Sequence, residues 1–180
     1  MHTNILRTTI SLLLLTLSGC CAQMAQPHPI PGTLSVTGTK ILTVRATGDQ
    51  IYNWDAATKA WKLTGPDAIF SGEGFTGKHF KTQNPTWQAN DGSTVEGTTA
   101  ANSPSPDDSI PWLLLTATNH TGTGILSGVT YIQRLNTKGG TPPATPGTKD
   151  AEEYRSHYSA TYVFYGAGAT TQPATKPSAK

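Results

Sequence analysis

Strict alternation of apolar and polar residues is the feature that most constrains how this chain can fold. The clearest run covers residues 158–165, where tyrosine, alanine and phenylalanine on one face alternate with serine, threonine and valine on the other. Residues 40–46, 49–54 and 129–136 repeat the pattern. A period of two residues, rich in aromatic and β-branched side chains, predicts β-strands with one buried face.

A different pattern, an unbroken apolar run, covers residues 111–117, Pro-Trp-Leu-Leu-Leu-Thr-Ala. Its short length and its leading proline favour a central strand covered on both faces over a helix. Most of the 18 glycines and 13 prolines lie between the predicted strands, which indicates turns. Short helices are plausible only at residues 55–62 and 150–156.

These patterns predict an all-β fold, a single antiparallel β-sandwich or barrel-like domain with at most one or two short helices. The Asp91-Gly92 pair predicts a type I′ hairpin turn that brings Trp87 and Val95 together. The positions expected to face the interior are Leu42, Val44, Ile51, Leu113, Leu115, Ile132, Tyr162 and Phe164.

The N-terminus has the pattern of an export signal. Arg7 precedes a largely apolar run over residues 10–17, which ends in Leu17-Ser18-Gly19-Cys20. The run is shorter than the roughly 20 residues that a spanning helix needs, and its order is typical of a cleaved signal. Leu-Ser-Gly-Cys resembles a bacterial lipobox, in which the cysteine is lipidated and becomes the new N-terminus.

The predicted organisation follows from this reading. Residues 1–19 form a lipoprotein signal peptide, and 20–31 a proline-containing tether from the lipid. Residues 32–166 form the β domain, and 167–180 a disordered tail of Gly, Ala, Thr, Pro and Lys. We therefore expect a protein of the bacterial cell envelope, anchored to a membrane by its N-terminal lipid on the periplasmic or extracellular face.

Charge argues against nucleic-acid binding, and cysteine content argues against an internal disulfide. The chain has 13 basic and 11 acidic residues, and loss of Arg7 with the signal leaves a net charge of +1. This near-neutrality argues against nucleic-acid binding. Cys20 and Cys21 are the only cysteines, so with Cys20 lipidated the domain has no internal disulfide. Cys21 is left to pair between molecules or to stay free.

Several stretches resemble the domain of unknown function 3455 family of secreted bacterial and fungal proteins. They are Gly48-Asp-Gln-Ile-Tyr52, Gly77-Lys-His-Phe80, Pro85-Thr-Trp87 with Asp91-Gly-Ser93, Ile110-Pro-Trp-Leu-Leu-Leu115, Tyr131-Ile-Gln-Arg-Leu-Asn-Thr137, Gly139-Gly140 with Pro143, and Tyr158-Ser-Ala-Thr-Tyr-Val-Phe-Tyr165. The resemblance supports the fold and export, and it implies no activity, cofactor or catalytic residue.

This chain departs from the family pattern at two places together. The resemblance implies that members often have a cysteine two positions after the Gln-Ile-Tyr tyrosine, and another shortly after the Gly-Gly segment. Here those places hold Trp54 and the stretch from Ala144 to Gly147. Both partners of the implied disulfide are therefore missing.

Four residues make up the predicted binding site: His79, Trp87, Arg134 and Asn136. His79 and Trp87 flank a polar, turn-rich loop, and Arg134 and Asn136 are expected on one face of a strand. A buried arginine needs a partner, for which Asp49, Asp91 and Glu96 are the candidates. In this arrangement Trp87 would stack on a hydroxylated or carboxylated ligand and Arg134 would orient it. Core packing is the alternative role of Trp87, and the favoured role of Trp112.

Three functions remain open from the sequence. The first is an envelope binding module for glycan or a small amphipathic molecule, since aromatic and polar residues together suit such ligands. The second is a hydrolase, although there is no Gly-x-Ser-x-Gly motif and no cysteine inside the domain. The third is a structural or stress-related envelope protein without a ligand. No motif indicates a metal or cofactor, and the oligomeric state is not specified.

The anchor can be tested directly. We expect the mature chain to begin at Cys20 and to carry several acyl chains there, because one chain alone holds a protein only marginally to a membrane. Mass spectrometry of the N-terminal peptide measures both features. An unmodified Cys20, or a mature N-terminus at Met24 or later, would contradict the lipobox interpretation.

Overall fold

The computed structural model of the chain describes residues 28–171, which form strands almost throughout. The elements in chain order are the 3₁₀ turn η1 (Gly32–Leu34) and the strands β1 (Val36–Thr37), β2 (Lys40–Asp55), β3 (Ala60–Gly72), β4 (Phe75–Lys81), β5 (Pro85–Ala89), β6 (Thr94–Ser103), β7 (Trp112–Thr121), β8 (Tyr131–Gly139), β9 (Glu153–Tyr165) and β10 (Thr170–Thr171). No helix in this part of the chain is long and apolar enough to cross a membrane.

Strands β2 to β9 form a closed barrel. Each strand pairs with the next in antiparallel register, and β9 pairs back with β2. The prediction of an all-β, barrel-like domain is confirmed. Closure leaves the barrel without the exposed edge strands that promote aggregation. The short strands β1 and β10 pair with each other as a separate two-stranded sheet.

The long strand β2 joins two predicted strands and corrects one expected core residue. Leu42, Val44 and Ala46 face the interior, and the same alternation continues through buried Tyr52. Ile51 has the opposite parity and is only partly buried, so its expected interior position is wrong. Of the other expected core residues, Leu113 is partly buried, and the rest are buried.

Both short helices considered from the sequence are absent. Residues 55–62 contain the end of β2, a turn over 56–59 and the start of β3. Residues 150–156 contain a turn and the start of β9. Strand β3 itself was not recognised because Pro66 interrupts it. At Pro66 only one side of β3 is paired: Gln50 of β2 lies opposite it, whereas β4 pairs only with residues 68–72. A proline is tolerated at such an edge position.

Strand β7 has both faces covered, as its continuous apolar run predicts. Leu115 faces the barrel interior, whereas Trp112 and Leu114 face outward. The outer face is covered by the segment of residues 28–35, which we call the N-terminal strap. Leu34 of the strap is fully buried there, and its carbonyl oxygen accepts a 2.5 Å hydrogen bond from Gln133 Nε2.

One end of the barrel, the closed end, is sealed by the loop over residues 122–130. Leu126 of this loop is fully buried in the interior cluster. The loop is held by the neighbouring hairpin: Asp91 accepts a 2.7 Å hydrogen bond from the Ile125 amide, and Ser93 Oγ accepts one from the Leu126 amide.

The hairpin itself pairs Trp87 with Val95, as predicted. Its turn differs from the predicted type I′, because Asp91 does not have a positive φ whereas Gly92 has φ 87°. Gly92 donates to Ala89 O, and Ala89 donates to Ser93 O. This is the pattern of a type I turn followed by a glycine bulge.

The opposite end, the mouth, is formed by the loops over residues 56–59, 82–84, 104–111 and 140–152. The last of these loops packs against the β2–β3 hairpin. Trp61 Nε1 donates a 3.0 Å hydrogen bond to Thr145 O, and a side chain at Gly147 would overlap the Trp54 ring. The two places that the family resemblance links by a disulfide therefore lie in contact, and here the contact is an indole ring against a glycine.

The ends of the chain are described only in part. Residues 167–171 were expected in the disordered tail, yet Thr170–Thr171 forms β10 through main-chain pairing with Val36–Thr37. Such pairing does not need apolar side chains. Cys20, the signal, most of the tether and residues 172–180 lie outside the described residues, so these assignments stay predictions.

The strap makes a measurable contribution to stability. We expect Leu34→Ala to lower the free energy of unfolding by about 2–5 kcal/mol, the usual cost of truncating a fully buried leucine. Urea denaturation measures it. As a control, Ile30→Ala in the exposed part of the strap should change stability by less than about 0.5 kcal/mol. Equal small effects would show that the strap is not part of the packed structure.

Candidate functional site

A cavity of about 200 Å³ opens at the mouth of the barrel. All eight barrel strands contribute to its wall, so it lies on the barrel axis rather than on the outer surface. Most of the wall surface is apolar, although six of the thirteen lining residues have polar or charged side chains. The residues that line it are Gln50, Leu63, Gly65, Pro66, His79, Lys81, Pro85, Trp87, Thr99, Leu113, Leu115, Arg134 and Tyr162.

His79 and Trp87 lie side by side in this wall because β4 and β5 pair them directly. Their rings are stacked, with centroids 4.3 Å apart and planes at 7°. His79 Nδ1 lies 2.9 Å from Thr86 O. A carbonyl oxygen only accepts, so Nδ1 carries the proton and Nε2 is left as an acceptor. Burial lowers the pKa of His79 to about 3, and the nearby Arg134 charge adds to this effect, so the ring is neutral at physiological pH.

Trp87 is part of the core as well as of the cavity wall. It is 1% exposed, and the edges of Tyr162 and Phe164 contact it at centroid distances of 5.3 and 6.1 Å. Since His79 already covers one face, Trp87 does not offer the open stacking platform expected from the sequence. A Trp87→Ala change would therefore remove core packing as well as cavity wall.

Arg134 is one of two cationic side chains in the cavity wall, and Lys81 is the other. Its Nε and Nη2 donate hydrogen bonds of 3.1 and 2.9 Å to Pro111 O. The expected carboxylate partner is absent among the described residues: Asp49 pairs with Arg155, Asp91 binds the closed-end loop, and Glu96 accepts from Thr82 and Asn84. A neutral carbonyl does not cancel the charge, so the guanidinium leaves a positive charge in the cavity wall.

Several buried polar atoms in and behind the wall lack a hydrogen-bond partner in the described part of the chain. They include Gln50 Nε2, Trp87 Nε1 and the hydroxyls of Tyr158 and Tyr162. Gln50, Tyr158, Tyr162 and Arg134 lie within reach of one another, since side-chain contacts among them affect the pKa values of the two tyrosines. Burial raises the pKa of both tyrosines, so they stay neutral. An unpaired buried polar group costs about 1–3 kcal/mol, and such costs are typical of functional sites.

The cavity therefore brings together three of the four predicted site residues. Asn136, the fourth, is exposed and does not line it. The register of β8 and β9 shifts between Leu135 and Lys138, and Asn136 has φ 51° in this bulge. The bulge breaks the alternation that would have placed Asn136 on the same face as Arg134, so that expectation is wrong.

Sequence reasoning did not assign Gln50, Leu113, Lys81 and Tyr162 to the site. The sequence contained evidence for Gln50: it has the same parity as Leu42 and Val44 on β2 and therefore faces the interior. A polar side chain at an interior position indicates a functional or structural role. Lys81 gave no signal, because a lysine at the end of a strand is usually an exposed charge.

Comparison with known proteins agrees with the resemblance noted above. A family model described as "Protein of unknown function (DUF3455)" matches residues 69–166. The chain belongs to this family. No curated protein and no solved structure matches the chain significantly. In this member of the family the match extends from the second half of β3 to the end of β9, and it includes His79, Trp87, Arg134 and Tyr162. Gln50 and Leu63 line the cavity from outside the matched residues.

Neutral, buried His79 makes stability depend on pH in a defined direction. An ordinary histidine takes up a proton below about pH 6.5, whereas folded His79 stays neutral down to about 3. Between these values the unfolded state binds more protons, so stability falls as the pH falls, by up to about 1.4 kcal/mol per pH unit. We expect His79→Gln to flatten this slope in urea denaturation at several pH values.

The matched control for this experiment is His157→Gln. His157 lies on the outer wall beside Asp49, with 75% of its side chain exposed, so this variant should leave the buried His79 and its effect on the slope in place. A wild-type slope in His79→Gln would show that His79 is not held neutral in the folded state.

Proposed function

We propose that the chain is an exported, lipid-anchored binding protein of the bacterial cell envelope whose barrel cavity holds a small amphipathic anion. The observation that carries the proposal is the cavity itself, where an apolar wall meets an uncancelled arginine. Its ligand would carry a carboxylate or similar acceptor group next to a short apolar body. Export and anchoring rest on the sequence of residues 1–20.

The polar groups in the wall favour a ligand that accepts hydrogen bonds. Arg134, Lys81, the Gln50 amide and the Trp87 indole are donors, and no Asp or Glu lines the cavity among the described residues. A carboxylate accepts several hydrogen bonds and pairs well with a guanidinium. Leu63, Leu113 and Leu115 would contact the apolar part of the same molecule.

The size of the cavity limits the ligand. Eight-stranded barrels have interiors that are either filled by side chains or hold one small ligand. At about 200 Å³ the cavity is smaller than the roughly 300 Å³ at which sites for drug-sized molecules begin. It suits a short-chain carboxylate, or the end of a longer molecule whose remainder projects from the mouth.

The same geometry favours binding over the other functions considered. A hydrolase needs a nucleophile beside its base, and the described lining has neither serine nor cysteine next to His79. A glycan site needs an accessible ring face, whereas Trp87 is covered by His79 and two further aromatic residues.

Calorimetric titration with hexanoate and with hexan-1-ol tests the proposal. The two ligands share their apolar chain, so the difference between them measures recognition of the charge. We expect hexanoate to bind about tenfold or more tightly, because a hydrogen bond to a charged group contributes about 1.5–3 kcal/mol. Arg134→Gln should reduce this preference, and the Lys81 ammonium, which also lines the cavity, accounts for any preference that remains.

The control is Arg45→Gln, which removes an exposed arginine on β2 and should keep the preference for hexanoate. Equal affinities of the wild-type chain for the two ligands would contradict recognition of an anion. Binding of neither ligand would contradict a site for short amphipathic molecules.

A further inference from the structure

The N-terminal strap runs along the outer wall from the mouth towards the closed end. His28 lies near Asp107 in the mouth loop over residues 104–111: hydrogen bonding to Lys138 lowers the pKa of Asp107, and the charge of His28 adds to this effect. Leu34 then enters the outer-wall cluster that extends from Trp112 at the mouth end of β7 to Tyr165 at the closed end. Val36 continues to the pairing with β10, which follows the closed-end terminus of β9. The described chain therefore begins at the mouth.

This direction restricts where a lipid on Cys20 can be. Eight residue steps separate Cys20 from His28, and they span at most about 28 Å when fully extended. β7 has ten residues, which at a tilt of about 40° correspond to about 25 Å of barrel height. If residues 20–28 ran back along the outer wall, Cys20 would only just reach the level of the closed end. No chain would then remain to place its lipid in a membrane at that end.

The exposed apolar side chains give a second, independent indication. Among the described residues the large hydrophobic side chains that are exposed are Ile30, Leu63, Ile69 and Tyr154. Three of them lie at the mouth: Ile30 on the strap, Leu63 beside the cavity and Tyr154 at the start of β9. The ring centroid of Trp61 lies 5.8 Å from that of Tyr154. Trp61 adds a large aromatic ring with a polar N–H group, and side chains of this type are favoured at membrane interfaces.

We propose that the mouth of the barrel faces and touches the membrane surface, so that the cavity opens onto the lipid layer. This rests on the proposed lipid anchor. The partner is a phospholipid bilayer, which the mouth contacts through Ile30, Leu63 and Tyr154. The cavity could then exchange an acyl-bearing anion with the bilayer rather than with bulk water, since such molecules partition into lipid in proportion to their apolar surface.

A site-specific fluorescent label on the acylated full chain tests the orientation. In a Cys21→Ser background, Ala57→Cys places a label in the mouth loop over residues 56–59, and Thr123→Cys places one in the closed-end loop. Both positions are exposed. The protein is reconstituted into vesicles of phosphatidylethanolamine and phosphatidylglycerol with and without doxyl-labelled lipid. We expect the doxyl lipid to quench the label of the Ala57→Cys variant and to leave that of Thr123→Cys nearly unchanged.

A matched pair of substitutions tests the contact itself. Ile30→Ser should reduce quenching of the mouth label, whereas Ile69→Ser, which removes an even more exposed apolar side chain from the outer wall, should not. Neither residue lines the cavity. Equal quenching of the two labels, or stronger quenching at the closed end, would overturn the orientation.

The outcomes separate this inference from the proposed function. If Cys20 carries no acyl chain, the anchor fails and the orientation fails with it. If the acylated chain shows equal quenching of both labels but hexanoate still binds, the orientation alone is wrong. If the mouth label is selectively quenched but hexanoate does not bind, the orientation is supported and the proposed ligand is wrong.

Discussion

Pairing of the first barrel strand with the last is the interaction on which the rest of the structure depends. β2 and β9 are joined in antiparallel register from Lys40 with Tyr165 to Asn53 with Glu153. This pairing closes the sheet, and closure fixes which face of every strand is inward. It places Gln50, Arg134 and Tyr162, which are far apart in the sequence, around one axis. A shift by one residue would turn each of these side chains outward.

Closure also creates a shared interior that is filled unevenly. Towards the closed end, Leu126, Val129 and Phe164 pack together with Leu42 and Val44 in one apolar cluster, and the interior is solid. Towards the mouth, the pair of His79 and Trp87 occupies one side, and the remaining space stays open. Polar groups without partners gather around this space. They lower stability, and under the proposed function this cost would be offset when a ligand binds.

The sequence predicts the fold better than the site, for physical reasons. Alternation is a local property, so it identifies β2, β8 and β9 and the inward faces of Leu42 and Phe164. It fails where the backbone departs from regular pairing: at Pro66, which hides β3, and at the β8 bulge, which moves Asn136 away from Arg134. The absence of a carboxylate beside Arg134 could not have been inferred, because it depends on contacts that Asp49, Asp91 and Glu96 make elsewhere. The pairing of His79 with Trp87 depends only on the short β4–β5 hairpin. It could therefore have been predicted from the local sequence.

The most direct test of the account is the nuclear magnetic resonance signal of the tryptophan indole N–H groups during titration with hexanoate. Trp87 lines the cavity, whereas Trp112 is equally buried but lies under the strap on the outer wall. Neither indole N–H has a partner in the described chain, so the two serve as internal probe and internal control. The account predicts that the Trp87 signal shifts with saturation and that the Trp112 signal does not. An unchanged Trp87 signal, or equal shifts of both, would contradict a ligand site inside the barrel.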